Sequence, residues 1–240
     1  MEWSDKGIVL SSRKHGETAA IVSLLTQSHG RHSGLVRGGS GSHARAIYQI
    51  GNLVTADWRA RLEEHLGTFS CELVQPNAAK MMDERLGLHA LIASTSMIER
   101  LLPERDSYPE TFKNLCSLIT KLTTRDYWLP EYIYWEIGFL SDLGYGLDFT
   151  RCAATGVTDN LLFVSPRSGG AVSQKAGEPY KDKLFSLPPF LLRRDKTPSV
   201  SQILDGFRIT SHFLALCARE TGVDNLPSAR GEFIKLLARS

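Results

Sequence analysis

The sequence predicts a multidomain α+β protein, with a small N-terminal β-barrel followed by a helical domain that carries a turn-rich insert. Three observations predict it. Roughly five short strand-like runs fall within the first ~75 residues. The apolar period then changes to that of amphipathic helices. Between two of those helices, residues 150–187 hold Gly156, Gly169, Gly170, Gly177, Pro166 and Pro179. The expected domains are therefore 1–78 and 79–240, with the insert at 150–187.

The β-region begins with Gly7-Ile8-Val9-Leu10, followed by a polar stretch over residues 11–18 that includes Gly16. Ala19-Ala20-Ile21-Val22-Ser23-Leu24-Leu25 completes a hairpin pattern. After the break at Ser28-His29-Gly30 comes Ser33-Gly34-Leu35-Val36-Arg37, and then a Gly/Ser-rich loop over residues 38–42. Residues 53–61 and 67–74 supply two further strands. In the first, Val54, Ala56 and Trp58 alternate with Thr55, Asp57 and Arg59, which gives one buried and one wet face.

Helical spacing starts at residue 80. Leu88, Leu91, Ile92, Thr95, Ile98 and Leu102 recur on one face, and Pro103 ends the run. Phe112, Leu115, Cys116, Ile119 and Leu122 mark a second helix. Pro130 occupies a first helical position and Asp142-Leu143-Gly144 a stop, which brackets a third. Ser199 with Gln202 is a capping-box signal for a fourth. A last helix from about Ser228 carries Phe233, Leu236 and Leu237.

Of the 240 residues, 42% are hydrophobic, 22% charged and 9% aromatic, a balance that excludes wholesale disorder. The first ten residues lack an apolar core and include Glu2 and Asp5, so no secretory leader is expected. No apolar run approaches the ~18 residues of a membrane span. Cys71, Cys116, Cys152 and Cys217 form no close metal or redox pair, which fits a reducing cytoplasmic setting with each cysteine a small buried hydrophobe.

The net charge of +2 argues against binding a polyanion by overall charge, yet its distribution is uneven. Between residues 13 and 61 stand seven cations, Arg13, Lys14, Arg31, Arg37, Arg45, Arg59 and Arg61, against two acids, Glu17 and Asp57. That stretch sums to +5 and the remainder to −3. Six of the seven cations are arginine, which forks onto phosphate and stacks on bases. His15, His29, His32 and His43 add possible donors. Tyr48 and Trp58 are candidates for base stacking, with Trp58 equally readable as core. A small barrel with a basic groove is an architecture for oligonucleotides. A second cluster, Arg193, Arg194 and Lys196, lies in the helical region and would extend a DNA track or meet an acidic partner segment.

Other chemistry finds little support. Gly39-Ser40-Gly41-Ser42-His43-Ala44 matches a weak dinucleotide fingerprint, but too few residues separate Ala44 from Gly51 for a crossover helix. H-E-x-x-H, G-x-S-x-G and C-x-x-C are absent, and Glu63-Glu64 and Asp83-Glu84 read as ordinary helix or turn charges. No catalytic constellation emerges. A nuclease would need clustered acidic metal ligands, and the basic stretch offers only Glu17 and Asp57.

The order of features resembles the RecO recombination mediator family of bacterial DNA-repair proteins. The resemblance rests on Trp3-Ser4-Asp5-Lys6-Gly7-Ile8-Val9-Leu10, on His15-Gly16-Glu17-Thr18, on Thr26 with His29-Gly30, and on Gly34-Leu35-Val36-Arg37-Gly38. It continues through Phe139-Leu140-Ser141-Asp142-Leu143-Gly144-Tyr145, Leu147-Asp148, Cys152, Ser165-Pro166, Gly169-Gly170, residues 184–188 and Leu226-Pro227-Ser228-Ala229-Arg230. No single motif is decisive; their order over most of the chain is specific.

The resemblance implies an N-terminal OB-fold, a helical domain and a zinc-ribbon-like insert. It also implies a cytoplasmic, nucleoid-associated protein, not an enzyme, with a defined set of activities. These are binding single- and double-stranded DNA, annealing complementary strands, and helping to load RecA, with RecR, onto DNA coated by single-strand-binding protein (SSB). The alternative is a helical scaffold for SSB and RecR with little DNA binding of its own. Many relatives carry two Cys-x-x-Cys pairs in the insert. Here those positions hold Cys152, Thr155, Ser173 and Ala176, so the insert is expected to be a degenerate module without zinc or any other cofactor.

Overall fold

The computed structural model describes residues 1–62, 64–124 and 126–239. Glu63, read above as a turn charge, lies outside the described residues. Packing divides the chain into two compact units: Met1–Asp126 with Pro227–Phe233, and Tyr127–Leu226 with the residues from 234 on.

The first unit contains a closed barrel of β1 (Glu2–His15), β2 (Ala19–Thr26), β3 (Arg31–Val36), β4 (Leu53–Arg59) and β5 (Thr68–Gln75), in the order β1-β2-β3-β5-β4. The long first strand serves two neighbours. Its early residues pair with β4, from Glu2 opposite Arg59 to Ile8 opposite Leu53. Its later ones pair with β2, from Gly7 opposite Thr26 to His15 opposite Ala19. A bulge between Val9 and Ser11 bends it between these two partners. The stretch 11–18, read from sequence as a turn region, is therefore strand through His15. Its residues 12–15 are solvent-exposed, so no buried face reveals the strand in the sequence.

Alternation reads correctly in β4, where Val54, Ala56 and Trp58 enter the core while Asp57 and Arg59 face water. Trp58 and Tyr48 pack with Val9, Val22, Leu24, Val36, Val54 and Phe69. At 1% and 6% exposed, they offer no face on which a base can stack, and this corrects the stacking role proposed for them. Trp58 instead donates from Nε1 to the Leu66 carbonyl at 3.1 Å. Burial and the neighbouring Cys71 push the Tyr48 hydroxyl above its usual range, and burial pushes the Cys71 thiol up to about 12.

Where a loop was expected, residues Ser42–Ile47 form a short helix, α1. Its last carbonyls are satisfied by buried Asn52, whose Nδ2 donates to Ala46 at 2.9 Å and Ile47 at 3.1 Å. Asn52 Oδ1 in turn accepts the Ala78 N–H at 3.0 Å, which ties α1 to the chain leaving β5. The same unit includes α2 (Asn77–Lys80), α3 (Arg85–Leu101) and α4 (Pro109–Thr124). On α3 the small residues Gly87, Ala90, Ala93 and Ser94 join Leu91, Met97 and Ile98, making the buried face wider than the apolar count implies.

The second unit contains α5 (Leu129–Asp142), with Pro130 in its first turn, and α8 (Val200–Glu220), which begins with the expected capping box. Gln202 N donates to Ser199 Oγ at 3.3 Å, and Ser199 N donates to Gln202 Oε1 at 3.0 Å. Between these helices lies a three-stranded sheet of β6 (Leu161–Val164), β7 (Ala171–Ser173) and β8 (Phe185–Ser186), ordered β7-β6-β8. Two short helices, α6 (Gln174–Gly177) and α7 (Pro189–Leu192), flank it, and α9 (Ser228–Leu237) ends the chain. Among the described residues no helix is long and apolar enough to cross a membrane.

Candidate nucleic-acid interface

The barrel carries two open grooves that share the loop following β3. The first, about 480 Å³, is lined by Lys14 and Ser12 on β1, Glu17 and Ala20 at the β1–β2 hairpin, Gly39 and Ser40 on the loop, and Arg45 on α1. The second, about 530 Å³, is lined by Arg37, by Asp57 and Arg59 on β4, and by Thr68, Phe69 and Ser70 on β5.

The shared loop is fastened rather than loose. Ser40 N donates to the Thr18 carbonyl at 3.0 Å and Ser40 Oγ to the Glu17 carbonyl at 3.1 Å. Gly41 N donates to Gly38 O at 3.0 Å. Gly39 is required by contact, since a Cβ there would lie 2.8 Å from the Ala20 Cβ. Arg45 Nε donates to the Ser40 carbonyl at 2.9 Å, which fixes the side chain and leaves its two terminal nitrogens available.

The structure thus brings Lys14 and Arg45 to one groove, and Arg37 and Arg59 to the other. All four are exposed. Lys14 and Arg37 make no ion pair among the described residues. Arg59 pairs with Glu2 at 3.1 Å, but the side chains are 75% and 71% exposed, so the pair is weak and readily exchanged for an anion. Arg13 meets Glu99 of α3 at 3.4 Å and lines neither groove. Arg61 is exposed just beyond β4.

Arg31 differs from the rest. Its side chain is 17% exposed; Nε donates to the Leu102 carbonyl at 2.8 Å and Nη1 to Glu104 at 2.9 Å. Ser33 Oγ donates to the same Glu104 oxygen. Arg31 therefore fastens β3 to the end of α3, and those bonds compete with any phosphate. The histidines divide as well. His15 and His43 are exposed, whereas His29 stacks on Trp3 at 4.3 Å and bonds Asp5 at 3.0 Å. His32 is buried against Trp3 and Trp58, so it is packing rather than a donor to a ligand.

In the second unit Arg193, Arg194, Asp195 and Lys196 are exposed after α7. The Arg194 guanidinium lies 4.4 Å over the Tyr134 ring, and Tyr134 donates to the Phe190 carbonyl. Arg193 borders a cavity of about 600 Å³ floored by Phe149, Leu161, Leu191 and Leu192.

The sequence reading missed Ser12, Ser40, Thr68 and Ser70, hydroxyls that line the grooves beside the cations. Ser12 and Ser40 lie within three positions of an Arg or Lys, a signal too common to single them out, and Thr68 and Ser70 have no Arg or Lys near them in sequence. Each groove also holds one of the two acids of the basic stretch, Glu17 or Asp57.

Two grooves, each bringing two cations together beside one fastened loop, make the barrel a candidate anion-binding surface. The family described as recombination protein O, N terminal, matches residues 1–77, and that described as recombination protein O, C terminal, matches residues 85–217. Relatives named DNA repair protein RecO include that of Rhodospirillum centenum, 46% identical over 236 residues, 98% of this chain and 94% of the relative. That of Nitrobacter hamburgensis is 45% identical over 244 residues, 100% of this chain and 95% of the relative. That of Bradyrhizobium diazoefficiens is 45% identical over 241 residues, 100% and 96%. The chain belongs to the RecO family of DNA repair and recombination proteins.

Proposed function

We propose that the chain acts in DNA repair as a recombination mediator. In this reading it binds single- and double-stranded DNA, anneals complementary strands, and helps to load RecA, with RecR, onto DNA coated by SSB. The observation that carries this reading is the pairing of Lys14 with Arg45 and of Arg37 with Arg59 in two grooves on either side of one fastened loop. The strand order β1-β2-β3-β5-β4 supports an OB-fold assignment for the barrel, and the three-stranded insert is read as the remnant of a zinc ribbon.

Phosphates bound at these cations release counterions, so affinity falls steeply with salt. A strand whose backbone charge is partly neutralised repels its complement less, which speeds annealing. Arg13 and Arg61 extend the basic surface, while Arg31 acts chiefly within the fold. No bond is made or broken, so the role is not enzymatic, and the working site is the cytoplasm at the nucleoid.

Arg193, Arg194 and Lys196 favour a second role, the docking of an acidic protein segment such as that of SSB. Arg193 beside a cavity of mixed apolar and polar lining, and Arg194 exposed over the Tyr134 ring, support it. Annealing of labelled complementary oligonucleotides, with and without SSB and across several salt concentrations, tests the reading. Acceleration that fades with salt is expected, and annealing no faster than the uncatalysed rate refutes it.

A further inference from the structure

We propose that in this chain a hydrogen-bonded cysteine sulfur has taken over the fastening role that a metal ion would play in the insert. The family implies zinc at the positions of Cys152, Thr155, Ser173 and Ala176, and the side chains present do not fit it. One thiol, two aliphatic hydroxyls and a methyl group cannot make a tetrahedral nitrogen–sulfur set. Neighbours do not complete it, since no group of three or more His, Cys, Asp or Glu that could hold a metal occurs among the described residues.

The remaining sulfur has another partner. Cys152 is 2% exposed, and its Sγ accepts the N–H of Ser173 at 3.3 Å. Backbone bonds close around the same residue. Cys152 N donates to Val157 O at 2.7 Å, Gly156 N to Cys152 O at 2.8 Å, and Ala153 N to Ala171 O at 2.7 Å. Together they close the turn 152–157 and tie it to β7, the two segments that a metal bound at these four positions would join.

The turn keeps the backbone such a site needs. Gly156 sits at φ +76°, and at Gly170 an added Cβ would lie 2.9 Å from the Ala153 Cβ, so the two segments touch. Buried Leu161, Val164 and Ala171 give the module an apolar floor that holds without coordination. Thr155, Ser173 and Ala176 border one cavity of about 870 Å³, so three of the four positions still surround a common space.

The test uses the full-length protein. Elemental analysis is expected to find zinc far below one per chain, and 1,10-phenanthroline is expected to leave Tm unchanged. Hydrogen exchange reads the bond itself. The Ser173 amide should be protected in the native chain, exchange faster in Cys152→Ala, and regain protection in Cys152→Ser, which keeps an acceptor.

Retained geometry is read by Thr155→Cys, Ser173→Cys and Ala176→Cys combined, which should bind one cobalt ion per chain with tetrathiolate absorption. Three results overturn the proposal. One is stoichiometric zinc whose removal lowers Tm. Another is Ser173 exchange indifferent to Cys152→Ala. The third is a folded triple variant that takes no metal.

Discussion

Arg31 Nη1 donates to Glu104 Oε1 at 2.9 Å, and the same carboxylate oxygen accepts from Ser33 Oγ, so a cation expected to meet DNA is held inside the first unit. Arg31→Ala removes this bond and the one to the part-buried Leu102 carbonyl, which loses its side-chain donor, while Glu104 keeps the bond from Ser33. Folding stability should fall by about 1–2 kcal/mol in chemical denaturation. The salt dependence of DNA binding should stay near that of the native protein. A large loss of slope with unchanged stability would return Arg31 to the DNA contacts.

Trp58 fills the barrel centre. Trp58→Ala should cost about 3–5 kcal/mol of stability, as deletion of a buried aromatic does. Trp58→Phe should fold and bind single-stranded DNA with native affinity, because Trp58 presents no ring face to a ligand. A Trp58→Phe variant with native stability but clearly weaker binding would restore the stacking role.

Burial lowers the His32 pKa below 6.5, helped by Arg105 and His29 and opposed by the backbone bond to His29 and by Glu104. The folded state thus favours neutral His32, and the unfolded state takes up the proton first as pH falls. Stability from this group is full above 6.5 and is lost as pH drops from there through the lower folded value. Thermal unfolding between pH 5 and 8 should show Tm falling on the acid side. The fall should be shallower in His32→Asn, and an equal slope in both proteins counts against His32 as its source.

What the sequence made legible followed physical periodicity. The alternation in β4, Pro130 in the first turn of α5, and the Ser199–Gln202 capping box are local signals, and the structure bears each of them out. The exposed half of β1 left no pattern because its backbone bonds go to β2 while its side chains face water. α1 was hidden because its carbonyls are capped by Asn52, a tertiary contact. The charge asymmetry marked the basic stretch, but counting cannot separate Arg45, whose terminal nitrogens remain available, from Arg31, whose partners lie more than 70 residues away. Tyr48 looked available for stacking for the same reason, since its burial is decided by strands distant in sequence.

In the proposed function two pairs of cations, one in each groove, hold the nucleic-acid backbone. The direct measurement is the slope of log affinity against log salt for single-stranded DNA, by fluorescence titration. Each phosphate contact contributes about 0.7 to that slope, so Lys14→Ala with Arg45→Ala should lower it by about 1.4, and Arg37→Ala with Arg59→Ala by a similar amount. Folded double variants that keep the native slope and affinity would show that these cations do not hold the backbone.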